Sequence, residues 1–240
     1  MSDRIQHLKD AWDDREQRLG ATKRSVLFKR FPGWLNQSIH RRHRSFVLRH
    51  LPEKASRVLD VGCGYGRMSL EIKQRFPEMQ FQGIDLCAKF CEEFQRSVGP
   101  CHSGSIQTFE SDENYDFILV VTLLMYLDAE EYTPILRRLW SYLKPGGCLL
   151  CIEPAIEFLT LWRRLTGRAS ASPTGGTVYH FRKSELAELC ANLEGSAVVG
   201  RGSVRLIPFL PFMALHHCMA VNKLDGNSAH RGEQESPPDR

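Results

Sequence analysis

Val58-Leu59-Asp60-Val61-Gly62-Cys63-Gly64-Tyr65-Gly66 opens as a short apolar run and closes on three glycines at alternate positions. From Met68 to Phe76 apolar residues recur at helical spacing until Pro77 stops the pattern. The stretch therefore reads as strand, glycine loop, helix. Such a turn lets a ligand approach the backbone, and the helix start offers unpaired N–H groups to an anionic group. A dinucleotide-binding turn spaces its glycines as G-x-G-x-x-G, but here Arg67 occupies the third position and Gly66 completes G-x-G-x-G instead. The nicotinamide reading loses ground.

The same unit repeats downstream. Gln80 to Asp85 reads as a second strand and Ala88 to Val98 as a second helix ended by Gly99-Pro100, with a weaker strand near Cys101 to Ser103. Tyr115-Asp116-Phe117-Ile118-Leu119-Val120-Val121 is the clearest buried strand, Ala129 to Tyr142 an amphipathic helix, and Cys148 to Ile152 a further strand after Lys144-Pro145-Gly146-Gly147. Pro154 to Tyr179 is long enough for a lid or binding loop. A last helix runs from Ser184, its expected cap, to Leu193, followed by strand-like runs at Ser196 to Val199 and roughly Leu215 to Val221. Strands alternating with helices at this spacing predict an α/β fold with a mainly parallel sheet and helices on both faces.

Upstream of the loop, residues 1–22 read as a surface helix, with Leu8, Ala11, Trp12 and Leu19 at helical spacing up to Gly20. Residues 23–51 crowd Lys23, Arg24, Lys29, Arg30, Arg41, Arg42, Arg44 and Arg49 among Phe28, Phe31, Trp34 and Phe46. The predicted organisation is a helical, basic arm or lid at 1–51, the α/β domain at 52–222 and a disordered tail at 223–240 that is poor in apolar residues. At 240 residues, with 42% hydrophobic and 25% charged residues, the chain has the balance of one globular domain with decorations. No apolar run reaches a membrane span and the N-terminus lacks a signal-peptide centre, so a cytoplasmic protein is expected. The eight cysteines fall mostly in buried segments and are expected to be reduced thiols. Cys148 and Cys151 form a C-x-x-C within a strand, where residues three apart face opposite sides, so neither a redox pair nor a metal site is expected.

With its first loop at Val58 to Gly66, its strand-end Asp85, Asn114 to Val120 and Leu143-Lys144-Pro145-Gly146-Gly147, the chain resembles the class I S-adenosylmethionine-dependent methyltransferase superfamily over roughly residues 55–155. The resemblance implies a Rossmann-like methyltransferase fold, a doubly wound, mainly parallel seven-stranded sheet with a C-terminal antiparallel strand, and S-adenosylmethionine as cofactor. In that family the glycine loop wraps the methionine part, the residue matching Asp60 helps hold the loop and the ammonium group, and the residue matching Asp85 takes both ribose hydroxyls. The plainer alternative for Asp85 is a strand-end carboxylate capping a helix, and with the glycine loop present the ribose role is favoured. Cofactor contacts are expected at Asp60, Gly62, Cys63, Gly64, Gly66, Asp85, Leu86, Ser105, Ile106 and Thr122. The chain departs from the family where an acidic residue is common near the adenine, having Gly104-Ser105-Ile106.

The expected activity is transfer of a methyl group to an oxygen or nitrogen of a small or lipid-like metabolite. In open α/β sheets ligands sit at the carboxyl ends of the strands, which brings forward Thr122 to Tyr126, Glu153 and the 154–181 connection. Glu153 and His180 are the candidate catalytic bases, with His216 and His217 behind them, and Tyr126 and Trp34 the candidate acceptor contacts. A closing arm would also bring His40, Arg41 or Arg44 near the cofactor carboxylate. No Asn/Asp-Pro-Pro-Tyr/Phe motif follows the fourth strand, which disfavours methylation of bases. Alternatives stay open: an RNA or protein methyltransferase gripping its substrate with the basic arm, or a non-catalytic relative. The arm also suits an anionic membrane surface, or simply packs its apolar residues on the domain. The apolar run Leu206 to Met213 is read as acceptor-pocket lining or a contact surface. Oligomeric state is left open.

Overall fold

Tyr115–Val121 lies at the centre of a seven-stranded sheet and is buried at every residue except Asp116. The computed structural model describes residues 3–28, 31–157, 160, 178–207 and 209–224. In chain order the strands are β1 (Arg57–Val61), β2 (Gln80–Asp85), β3 (Cys101–Ser103), β4 (Tyr115–Val121), β5 (Leu143–Pro154), β6 (Ser196–Arg205) and β7 (Ala214–Lys223). Their spatial order is β3-β2-β1-β4-β5-β7-β6. β1 pairs in parallel with β2 and β4, and β4 with β5, whereas β7 runs antiparallel to both β5 and β6. The doubly wound sheet with an antiparallel C-terminal strand is therefore as expected.

Helices cover both faces because the central strands are apolar on both. Phe117, Leu119 and Val121 pack with α3 (Gly33–His50), α4 (Arg67–Arg75) and α5 (Ala88–Ser97) on one face. Ile118 and Val120 pack with α6 (Ala129–Ser141) and α7 (Lys183–Ala191) on the other. Cys148 belongs to the first face and Cys151 to the second, as the strand period requires.

Several boundaries differ from the sequence reading. α7 begins one residue before Ser184 and ends at Ala191, and its first turn is tied by the Arg182 N–H donating to Glu185 Oε2 at 2.8 Å, not by Ser184. The final strands are longer than their apolar runs, since Gly200, Arg201, Gly202 and Ser203 of β6 keep pairing with β7 although they carry little apolar side chain. β7 extends through Lys223, past the expected start of the tail, and residues 225–240 lie outside the described residues. So do 158, 159 and 161–177 of the long connection. Ahead of the sheet, α1 (Asp3–Leu19) and α2 (Lys23–Val26) precede α3. α1 is more than a surface helix: the Arg4 Nη1–H donates to the Tyr126 carbonyl at 3.0 Å, and Trp12 meets Tyr126 edge-on at 5.6 Å.

Candidate active site

β1 ends at Val61, and the chain turns under tight constraint. The Gly62 and Cys63 N–H groups both donate to the Ile84 carbonyl, at 2.8 and 3.0 Å, tying the loop to β2. Gly62 and Gly66 have φ of +68° and +85°, in the left-handed region that disfavours other residues. A Cβ on Gly66 would also lie 2.8 Å from Val98 Cγ2, so α4 can start only where a hydrogen stands. Gly66 does not line the cleft described next, and its place is in the packing beneath the loop.

The cleft opens at the carboxyl ends of β1, β2 and β4 and encloses about 980 Å³ of space open to solvent. Asp60, Gly62, Cys63, Gly64, Asp85, Leu86, Ser105, Ile106 and Thr122 all line it, so nine of the ten expected cofactor residues converge from four separate segments. Asp85 Oδ2 accepts the Gly64 N–H at 2.8 Å and Oδ1 accepts the Cys87 N–H at 2.9 Å. It thus serves the start of α5 as well as the loop, and each oxygen retains a lone pair for a further donor. Asp60 Oδ2 accepts the Ser69 hydroxyl at 2.7 Å. Burial pushes both carboxyl groups up to about 6, against the hydrogen bonds that favour their ionised forms. Thr122 has φ of +55°, the one positive value outside glycine among the described residues, held by its N–H donating to the Ile152 carbonyl at 2.7 Å.

Other cleft residues were not singled out by the sequence reading. Ile5, Leu8 and Trp12 of α1 cover the opening, and their i, i+3, i+7 spacing was a visible helical stripe whose partner was not. Gln107 lines the cleft next to Ser105, whose hydroxyl it accepts. Arg67, the residue that broke the dinucleotide spacing, also lines it. Its guanidinium donates to His40 Nδ1 at 3.0 Å and His43 Nδ1 at 3.3 Å, and His40 Nε2 in turn meets Glu71 Oε1 at 2.8 Å. Because Arg67 can only donate, both imidazoles carry their proton on Nε2. Burial lowers Arg67 to about 10, His43 well below its ordinary value, and His216, which lies edge-on to His43 at 4.7 Å, to about 3.

The acceptor-side expectations fare differently. Glu153 is fully buried and does not line the cleft. Its carboxyl accepts the backbone N–H groups of Leu123, Leu124 and Met125 at 3.0, 2.9 and 3.3 Å, pinning the turn after β4. Burial nevertheless pushes it up to about 8. That corrects its assignment as a base, because the oxygens are directed at the backbone and not at the cleft. Trp34 is corrected too: 71% exposed at the start of α3, it stands away from the cleft, where Trp12 takes the place expected of it. Of the arm, Val26 reaches the cleft, while Arg41 and Arg44 do not. Tyr126 lines the cleft, its phenol pushed up by burial. His180 is half-buried and does not line the cleft; its neighbours Tyr179 and Phe181 donate their N–H groups to the Met125 and Pro154 carbonyls. His217 is held by Glu157 at 2.9 Å and Ser203 at 2.9 Å.

Residues 58–147 match the family model described as a methyltransferase domain. That stretch of the chain is a methyltransferase domain. Over 128 residues it is 30% identical to trans-aconitate 2-methyltransferase of Deinococcus radiodurans, a stretch covering 52% of this chain and 48% of that protein. It is also 30% identical over 113 residues to demethylmenaquinone methyltransferase of the same organism, covering 45% of each. The chain spans about half the length of the curated relatives it matches. Among solved structures, magnesium protoporphyrin IX methyltransferase from Synechocystis with bound S-adenosylhomocysteine superposes with a TM-score of 0.63 at 16% identity, over 92% of this chain and 100% of that one. The N-methyltransferase NodS from Bradyrhizobium japonicum gives 0.60 at 15%, over 90% and 99%. These likenesses extend the methyltransferase fold across nearly the whole chain.

Proposed function

We propose that this protein transfers a methyl group from S-adenosylmethionine to an oxygen or nitrogen of a small or lipid-like metabolite in the cytoplasm. The observation that carries the reading is Asp85. Its two oxygens each hold one backbone N–H and keep a lone pair at the cleft wall, an arrangement suited to two adjacent ribose hydroxyls. The rest of the cleft fits the same ligand: a loop without side chains at Gly62 and Gly64, apolar Ile106 beside Ser105 and Gln107 for a base, and acidic Asp60 for an ammonium group.

When bound, the cofactor supplies a methyl group already activated by its sulfonium, so the chain's task is placement. α1 excludes water with Ile5, Leu8 and Trp12, and the Glu153-pinned turn sets Leu123 and Tyr126 at the acceptor side of the cleft. The named activities of the trans-aconitate and demethylmenaquinone enzymes support a small-molecule acceptor.

Calorimetric titration with S-adenosylmethionine and then S-adenosylhomocysteine tests the cofactor half. Saturable binding of both is the expected result, followed by transfer of labelled methyl to organic-extractable small molecules from cell extract. A folded protein that binds neither at sub-millimolar concentration is a non-catalytic relative, and label appearing only in RNA or protein overturns the acceptor class.

A further inference from the structure

We infer that the protein docks peripherally on an anionic lipid bilayer through Trp34, Phe209 and Phe212, with the mouth of the active-site cleft toward the membrane.

The argument starts from the alignment of α3 along the edge strand. A Cβ on Gly200 would collide with His50 and one on Gly202 would lie 3.1 Å from the Phe46 ring, while the Arg42 Nη1–H donates to the Arg205 carbonyl at 2.9 Å. Residue numbers fall along α3 as they rise along β6, so the helix runs antiparallel to the strand. Both β6 and β5 are antiparallel to β7, and so the end of β6 lies at the same edge of the sheet as the end of β5. That is the edge at which the cleft opens. Past Arg42, eight residues of helix lift Trp34 by about 12 Å beyond this rung. Past Arg205 the chain returns on itself, closed by the Leu206 N–H donating to the Met213 carbonyl at 2.8 Å. Phe209 and Phe212 ride on this projection.

Trp34 at 71% and Phe209 at 80% are the most exposed large apolar side chains among the described residues, and Phe212 adds 48%. Aromatic rings held out on two projections at one end of a molecule suit the boundary between headgroups and acyl chains, which accepts an apolar body with a wet surround. The charge below them specifies the surface. The groove between α3 and β6 is lined by Arg42, Arg49, Arg201 and His50 and by no carboxylate, and Arg41 stands exposed on the same helix. Of these, Arg41 and Arg42 lie seven and eight residues along α3 from Trp34, about 10–12 Å behind it, near enough to a bilayer that takes the ring to meet the phosphates of anionic lipids. No helix among the described residues is long and apolar enough to cross a membrane, so the contact is interfacial. The docking stands whether or not the methyl acceptor is itself a lipid.

Co-sedimentation of the full chain with phosphatidylcholine vesicles, with and without phosphatidylglycerol, tests it. The expected result is binding to the anionic vesicles alone, weakening as salt rises, with Trp34 fluorescence quenched by brominated acyl chains and that quenched component missing in Trp34→Phe. The double variant Phe209→Ser, Phe212→Ser should bind about tenfold or more weakly. Arg41→Glu, at an exposed position of the stretch nearest the bilayer, should reduce the preference for anionic vesicles, and both variants should keep the parent's melting temperature. Absence of binding to anionic vesicles at low salt, or binding undiminished in the Phe209/Phe212 variant, overturns the inference. So does a dimer in sedimentation velocity that this variant dissociates while vesicle binding is absent, which assigns the surface to a second copy.

Discussion

The two ends of the cleft are built on opposite plans. On the cofactor side, Asp60, the glycine loop and Asp85 lie within 26 residues of one another, and their polar groups satisfy each other through Ser69, Gly64 and Cys87. On the acceptor side the wall is assembled from α1 and the turn after β4, segments about a hundred residues apart, the turn being pinned from behind by Glu153. The first plan fixes a ligand common to many reactions through a compact motif. The second leaves each element free to vary, at the cost of needing buried groups such as Glu153 and the Arg67–His43 pair to hold the pieces in register.

Asp85→Ala is the largest test of this contrast. Losing both acceptors for a pair of hydroxyls should weaken S-adenosylmethionine binding about a hundredfold in calorimetry, with the sheet intact by circular dichroism. An effect on acceptor KM alone would mean the two ends are not separate.

Glu153→Ala tests the other side. It orphans three buried N–H groups, and chemical denaturation should show a loss of about 2–4 kcal/mol. Glu153→Gln, which restores one acceptor, should recover part of it and leave the shape of the pH–rate profile unchanged. A profile losing its basic limb in Glu153→Gln would return this residue to catalysis.

Trp12→Ala sharpens the role of α1. Removing the ring that covers the cleft and meets Tyr126 should raise the cofactor dissociation rate between about tenfold and thirtyfold in stopped flow, with little change in the melting temperature. Trp34→Ala should leave this rate unaltered.

The smallest effect is that of pH, and its two signs differ. Asp60 and Asp85 ionise at about 6 in the free cleft, above their values in an unfolded chain. Between roughly 4 and 6 the folded protein therefore holds more protons, and the stability these groups contribute is present below about 4 and lost as pH rises through about 6. The assigned contacts use the ionised forms, so cofactor affinity should rise between pH 5 and pH 7 by about tenfold or less for each carboxylate. Parallel melting and titration series from pH 5 to pH 7 check both directions, and affinity that falls with rising pH would refute the assigned contacts.

The sequence by itself determined the strands and helices of the parallel half and the nine residues that converge on the cleft, because each is fixed by local chemistry. A strand needs an apolar run, a loop of this tightness needs glycine at a positive φ, and a strand-end carboxylate needs only to follow its strand. The unexpected length of β6 shows the limit, since Gly200 to Ser203 are held in the sheet by their neighbour β7 and not by their own propensity. Only the tertiary structure decided that Trp12 and not Trp34 covers the cleft, since both sit on helices and which face is buried depends on a partner remote in sequence. It also decided that Glu153, at the end of a strand where a base was expected, is turned to three backbone N–H groups. Burial in an apolar core leaves a carboxyl group no stable alternative to the donors within reach, and those donors belong to a turn 30 residues away.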